Sequence, residues 1–194
     1  MKPKLVVATK NPGKLAEFQY LLPEFDLIPL SDNFEDTVED GSTYTENAVK
    51  KAFEAYLHFN REYPVLADDS GLEVDALSGF PGLHSRRWFP GSDVKRCEML
   101  FRLMRPEINR SARQICHLVC LHWDKDFGAV GELAGEINDI ARGSNGFGYD
   151  LMFRLEDGRN LAELDPTERA LHSHRAKAVL QFKEWYKLNI GGIE

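Results

Sequence analysis

Residues 5–8 form a short apolar, β-prone run, punctuated by Pro12 and Gly13. From 14 to 22 the apolar positions fall at 15, 18, 21 and 22, the spacing of one helix face, so the chain opens as strand, tight loop, helix. Thr43 with Glu46 three positions on is a capping-box pattern, and the helix it opens runs to about Arg61 with Ala48, Ala52, Ala55, Tyr56 and Phe59 as its apolar stripe. After Pro64, residues 65–67 predict a strand that ends at Asp68-Asp69-Ser70, with Gly71 permitting a turn. Residues 71–92 are rich in Gly and Pro and read as loop with short elements, and Ser92 or Asp93 caps a helix through Met104. Two strands are predicted at 113–123 and 129–140, joined by the hairpin-like DKDFG, and a third at 151–153. Asp165-Pro166-Thr167-Glu168 starts a last helix to about Leu188, with Leu171, Ala178, Phe182 and Trp185 on or near one face. Crossover and hairpin links both occur, which predicts an α/β chain with a mixed, helix-covered sheet.

A chain of 194 residues suits one domain or two tightly joined lobes and can hide roughly 70% of its unfolded surface. The net charge of −7 gives no broad electrostatic reason to hold long nucleic acid, so an anionic ligand would need local cations, a metal, or both. The apolar run near the start is too short for a secretion signal, and no stretch approaches the ~20 apolar residues of a membrane span. Cys97, Cys116 and Cys120 are odd in number and contain no C-x-x-C pair, which fits a reducing cytoplasm. CHLVCLH combines Cys116 and Cys120 with His117 and His122, but residues 115–123 are apolar enough to read as a buried strand rather than a zinc site.

Chemistry is concentrated in four places. In ATKNPGK, a strand-to-helix loop would expose backbone N–H groups beside Thr9, Lys10, Asn11 and Lys14. Such a loop suits a phosphate, or is an ordinary turn with solvated lysines; it is not a Walker loop. In VEDGSTYTENAVKKA, Glu39 and Asp40 precede a helix on which Lys51 is one turn from Asn47. In VLADDSG, successive residues of an extended chain face opposite ways, so Asp68 and Asp69 take different jobs: one can meet a metal while the other bonds into the scaffold. Carboxylates near lysines match Mg²⁺, which takes few protein ligands and completes its octahedron with water and phosphate oxygens. The fourth place is split between GSNGFGYD and ERALHSHRAK. Gly146 and Gly148 around Phe147 let backbone approach a flat ligand, Asp150 could accept from a ring N–H, and His174 and Arg175 could donate to ring carbonyls. The alternative there is a Gly-rich bend and a basic helix face.

Taken in order, ATKNPGKLAEF, GSTYTENAVKKA, ADDSGLEVDAL, PGLHSRRW, NGFGYD and SHRAKA resemble the inosine triphosphate pyrophosphatase family, also called XTP/dITP diphosphatases, over about residues 4–180. The resemblance implies an elongated mixed β-sheet flanked by helices, a single domain of two lobes around a central substrate cleft, and a cytoplasmic homodimer. It implies Mg²⁺-dependent hydrolysis of ITP, dITP and XTP to the monophosphate and pyrophosphate. Carried over by motif, Thr9, Asn11 and Lys14 would contact the triphosphate, with Lys10 contributing backbone. Glu39 and Asp69 would hold the metal, Asp69 also accepting the proton, and Lys51 would touch the phosphates. Ser70 would bind substrate, and Phe147, Gly148, Tyr149, Asp150, Arg169, Ser173, His174 and Arg175 would form the base side. The chain departs from the family at Arg169, where lysine is usual, at Leu151, where proline is common, at Arg86 and Trp88, and at His172. Rival readings are a pyrophosphatase for another ordinary or modified nucleotide, and a nucleotide-binding protein without catalysis.

Overall fold

The computed structural model describes residues 1–193. In chain order the elements are β1 (Lys4–Val7), α1 (Pro12–Leu21), β2 (Asp26–Pro29), α2 (Tyr44–His58), β3 (Val65–Val74), α3 (Asp93–Met104), β4 (Ser111–Leu121), β5 (Phe127–Ile137), β6 (Phe153–Arg154), α4 (Pro166–His172) and α5 (His174–Asn189). The strands form one six-stranded sheet in the order β2-β1-β3-β4-β5-β6. β1 pairs in parallel with β2 and β3, and β5 pairs antiparallel with β6, so the sheet is mixed as expected.

The chain divides into two compact units. The first holds residues 1–69, 116–131 and the described chain from Arg175 onward. It is layered, and the strand alternation sets the layers. Leu5, Val7, Leu66, Cys116, Leu118 and Cys120 pack against Phe18 and Leu22 of the α1 region and Ala178, Phe182 and Tyr186 of α5. The intervening Val6, Ala8, Val65, Ala67 and Val119 pack on the opposite side against Ala48, Ala52 and Ala55 of α2. Cys116 and Cys120 are therefore core residues, as the strand reading of CHLVCLH expected. The second unit holds 70–115 and 132–174, with a core that gathers Leu72, Leu100, Met104, Leu133, Phe153 and Leu161 among others.

Three expectations change and one strand is added. The first helix starts at Pro12 rather than Lys14, because the Asn11 side chain accepts from the N–H groups of Gly13 and Lys14, and proline suits the first turn. The short strand β2, half-buried and at the sheet edge, carries too little apolar pattern to be read from sequence. β3 does not end at Asp68; it runs ten residues to Val74, with Gly71 inside it. The last helix is two helices, broken at Ser173, whose backbone is extended (φ −61°, ψ 147°) while its N–H closes α4 onto the Arg169 carbonyl. His172 and His174 thus belong to different helices.

Candidate active site

Both aspartates lie within a strand, and both are almost fully buried, at 2% and 6% exposure. Buried carboxylates are costly unless paired, and the alternation of β3 gives each its own partners. Asp68 shares its side of the strand with Leu66, toward α1 and α5. Its Oδ2 accepts from Lys14 Nζ at 2.8 Å and from the Arg175 guanidinium at 3.0 Å. Arg175, wholly buried, also pairs with Glu17 at 2.6 Å. Burial alone would raise the Asp68 carboxyl, but Arg175, Lys14 and Lys51 outweigh it and hold the group far below the usual carboxylate range.

Asp69 faces the other way, toward α2. Its Oδ2 accepts from Asn47 Nδ2 at 3.1 Å and its Oδ1 from Lys51 Nζ at 3.0 Å, donors one helical turn apart. The same ammonium reaches Glu39 Oε1 at 2.9 Å, so two carboxylates converge on one cation. Burial lowers Lys51, yet Asp69, Asp68 and Glu39 overcome it and leave its pKa above the ordinary lysine value. Thr43 caps α2 by accepting from Glu46 N–H, while the Glu46 carboxylate accepts from Ser42 N–H. Gly41 lies against this helix start: its N–H donates to Asn47 Oδ1 at 2.8 Å, and a Cβ there would lie 2.7 Å from that oxygen. Asn47 is held at both ends of its amide, which positions Asp69.

The Thr9–Lys14 loop differs from the expected anion cradle. The Gly13 and Lys14 N–H groups are taken by Asn11 Oδ1, and Asn11 N–H donates to Thr9 Oγ1. What the loop offers is the Lys14 ammonium and the side chains of Thr9 and Asn11. The Lys10 ammonium donates to the Phe34 carbonyl and pairs with Asp36. Lys14 is shifted down, chiefly by burial and despite Asp68.

The second unit assembles most of the expected base-side residues. Asp150 is buried; its Oδ1 accepts from Gln114 Nε2 at 3.0 Å and its Oδ2 from Phe147 N–H at 2.9 Å, with Arg169 at 2.9 Å from Oδ2. The Arg169 guanidinium lies 5.0 Å from the centre of the Phe147 ring. Gly146, at φ +83°, must be glycine: a Cβ would come within 2.3 Å of both members of the Arg169–Asp150 pair. The turn is fixed further by Gly148 N–H donating to Asp93 Oδ2 and by Tyr149 O–H donating to the Ser85 carbonyl at 2.7 Å. Burial pushes the Tyr149 phenol up to about 12, so it stays a donor. Trp88, one of the departures, donates to that phenol. Ser173 and His174 are buried at the break between α4 and α5, and Ser70 is half-buried.

Arg175 belongs to the first unit, whereas Phe147, Asp150, Arg169, Ser173 and His174 belong to the second. The sequence reading missed Glu17, Asn47, Asp93 and Gln114 as partners of these residues. Asn47 was signalled by its one-turn spacing from Lys51; Gln114 by being a lone amide in an apolar strand.

The sequence profile of the Ham1 family matches residues 5–185. The chain belongs to the Ham1 family. It is 41% identical to a dITP/XTP pyrophosphatase of Symbiobacterium thermophilum over 186 residues, 93% of each chain. It is 40% identical to a dITP/XTP pyrophosphatase of Geobacillus kaustophilus over 200 aligned positions, 97% of each. A solved HAM1 protein from Coxiella burnetii superposes with a TM-score of 0.85 at 35% identity, covering 96% of this chain and 99% of that one. The Ham1 relationship and the mixed α/β fold agree with the resemblance carried by the motifs.

Proposed function

We propose that the chain hydrolyses the deaminated purine nucleotides ITP, dITP and XTP to the monophosphate and pyrophosphate. The observation that carries this reading is the Glu39–Lys51–Asp69 arrangement, a buried carboxylate held by Asn47 and sharing one ammonium with a second carboxylate. The names of the Ham1-family relatives supply the nucleotide class. Binding alone would not need a carboxylate held so closely; a proton acceptor would.

The donor set fits Mg²⁺. Among the described residues no cluster of three or more His, Cys, Asp or Glu side chains forms a ready cage. Two converging carboxylates are what this ion takes from protein when phosphates and water complete its shell. Glu39 and Asp69 would hold it, and when bound it supplies charge neutralisation for the phosphate chain. Asp69 would accept the proton of the attacking water. Lys14 and Lys51 would offset charge growing on the phosphate oxygens, and Thr9 and Asn11 would orient them. The base-side residues of the second unit would receive the purine. Arg169 keeps the positive charge of the usual lysine but changes its reach.

A homodimer in the cytoplasm completes this reading; the cysteines, all free thiols, suit a reducing compartment. No described helix is long and apolar enough to cross a membrane.

The test is pyrophosphate release from ITP, dITP, XTP, ATP and GTP, with Mg²⁺ and with chelator. The first three are expected to turn over at least about 100-fold faster than ATP, because a donor-lined pocket leaves buried groups unpaired against a 6-amino base. Equal rates on all five favour the broader pyrophosphatase, and ITP binding without release favours the non-catalytic reading.

A pH profile provides a second check. kcat/KM reports the free enzyme, in which burial holds Lys14 below the ordinary lysine value of 10.5. Its charge is lost as pH rises through that lowered value, so the alkaline limb should fall earlier than an exposed lysine would allow. Lys14→Arg keeps its charge throughout and should move the limb to higher pH. An unmoved limb would assign it to another group.

A further inference from the structure

We infer that Gln114 determines purine specificity, its side-chain carbonyl accepting the N1–H that 6-oxopurines carry and adenine lacks. This rests on the reading of the site given above and adds a residue to it.

Gln114 lies in β4 on the buried alternation with Ala112 and Cys116, where an apolar side chain would be expected. It is 4% exposed. Its amide orientation is fixed by chemistry: the Asp150 carboxylate, ion-paired with Arg169, only accepts, so the nitrogen end must face it. The Oε1 atom then points away from Asp150. It is buried and has no hydrogen-bond partner among the described residues. Buried amides are ordinarily satisfied at both ends, so a half-satisfied one beside a ligand-lining cluster marks an acceptor kept for that ligand.

The surrounding groups narrow what it would accept from. Asp150 itself, which the sequence offered as acceptor for a ring N–H, already receives Gln114, Phe147 N–H and Arg169. The ring-facing acceptor duty passes to the neighbouring amide, while Asp150 acts as the positioning residue that orients it. The 6-oxopurines hypoxanthine, xanthine and guanine present N1–H as a donor. Adenine presents a lone pair at N1, which would meet the Oε1 lone pairs. Gln114 therefore selects against adenine and leaves guanine to be rejected by other groups.

The test compares kcat/KM for ITP and ATP, by pyrophosphate release, in the native chain and in Gln114→Met, which keeps length and removes the acceptor. The ITP:ATP ratio should fall by at least about tenfold. Parallel losses on both substrates, with the ratio unchanged, would make Gln114 merely structural and overturn the inference. A measurement on the native chain stands even if the variant does not fold: 1-methyl-ITP, which lacks the N1–H, should be cleaved at least about tenfold more slowly than ITP, and equal rates overturn the inference. Release from ITP with either negative result defeats this inference alone; no release from ITP by the native chain defeats the underlying reading of the site as well.

Discussion

Replacing Asp69 by asparagine is expected to cut pyrophosphate release from ITP by about a thousandfold, the scale of losing a positioned proton acceptor, while the chain stays folded. The two side chains have the same shape. Asparagine keeps one oxygen for the Lys51 ammonium, which also retains Glu39. The structural cost falls on one bond: Asn47 Nδ2 now donates to Asp69 Oδ2, and the Asn47 carbonyl is committed to Gly41 N–H, so Asn47 cannot simply turn over to suit a new amide. That mismatch costs about 1 kcal/mol, or roughly 2–4 °C in Tm for a chain of this size. Pyrophosphate assay and thermal melting on the same preparation check both halves. Turnover near the native rate would take the proton-acceptor role away from Asp69 and point to another carboxylate, Glu39 first.

How far the sequence could be read depended on whether a signal was local. Asp165 and Pro166 start α4 through side-chain and ring geometry contained within a few residues, and that start was legible. The two-sided use of Asp68 and Asp69 followed from strand alternation alone. The continuation of β3 past them was not legible, because two adjacent charges read as a strand end unless one knows that Lys14, Arg175, Asn47 and Lys51 arrive from three separate helices to neutralise them. The break at Ser173 was hidden for a related reason: residues 166–188 hold no internal Gly or Pro, so no local breaker marks the extended backbone there. The sequence groups Arg175 with the base side; that its guanidinium also pairs with Glu17 and Asp68 was not legible, because both partners lie far away along the chain. Gln114 carried no motif, and only its bond to Asp150 shows what the amide faces.

The neighbouring substitution, Asp68→Asn, should have the opposite outcome and unfold the chain more readily by about 3–5 kcal/mol. Asp68 lies between two cations, Lys14 at 2.8 Å and Arg175 at 3.0 Å, and its side chain is fully buried. Asparagine fits the same space. It can place its carbonyl where Oδ2 now accepts and its nitrogen where Oδ1, without a hydrogen-bond partner among the described residues, now stands. Shape is preserved and only the negative charge is removed, leaving a buried ammonium and a buried guanidinium, of which the guanidinium keeps Glu17 as its partner and the ammonium keeps the weaker attraction of Asp69. Removing a cation instead is milder: Lys14→Met leaves Asp68 paired with Arg175, so its Tm should lie between those of the native chain and Asp68→Asn. The expected fall for Asp68→Asn is on the order of 10 °C. Denaturant titration is the direct measurement, since it separates a change in midpoint from a change in slope. A midpoint shift equal to that of Asp69→Asn would mean that the Lys14–Asp68–Arg175 cluster contributes no more to stability than a single surface pair, and that the first unit is held by the apolar layers on either side of its strands alone.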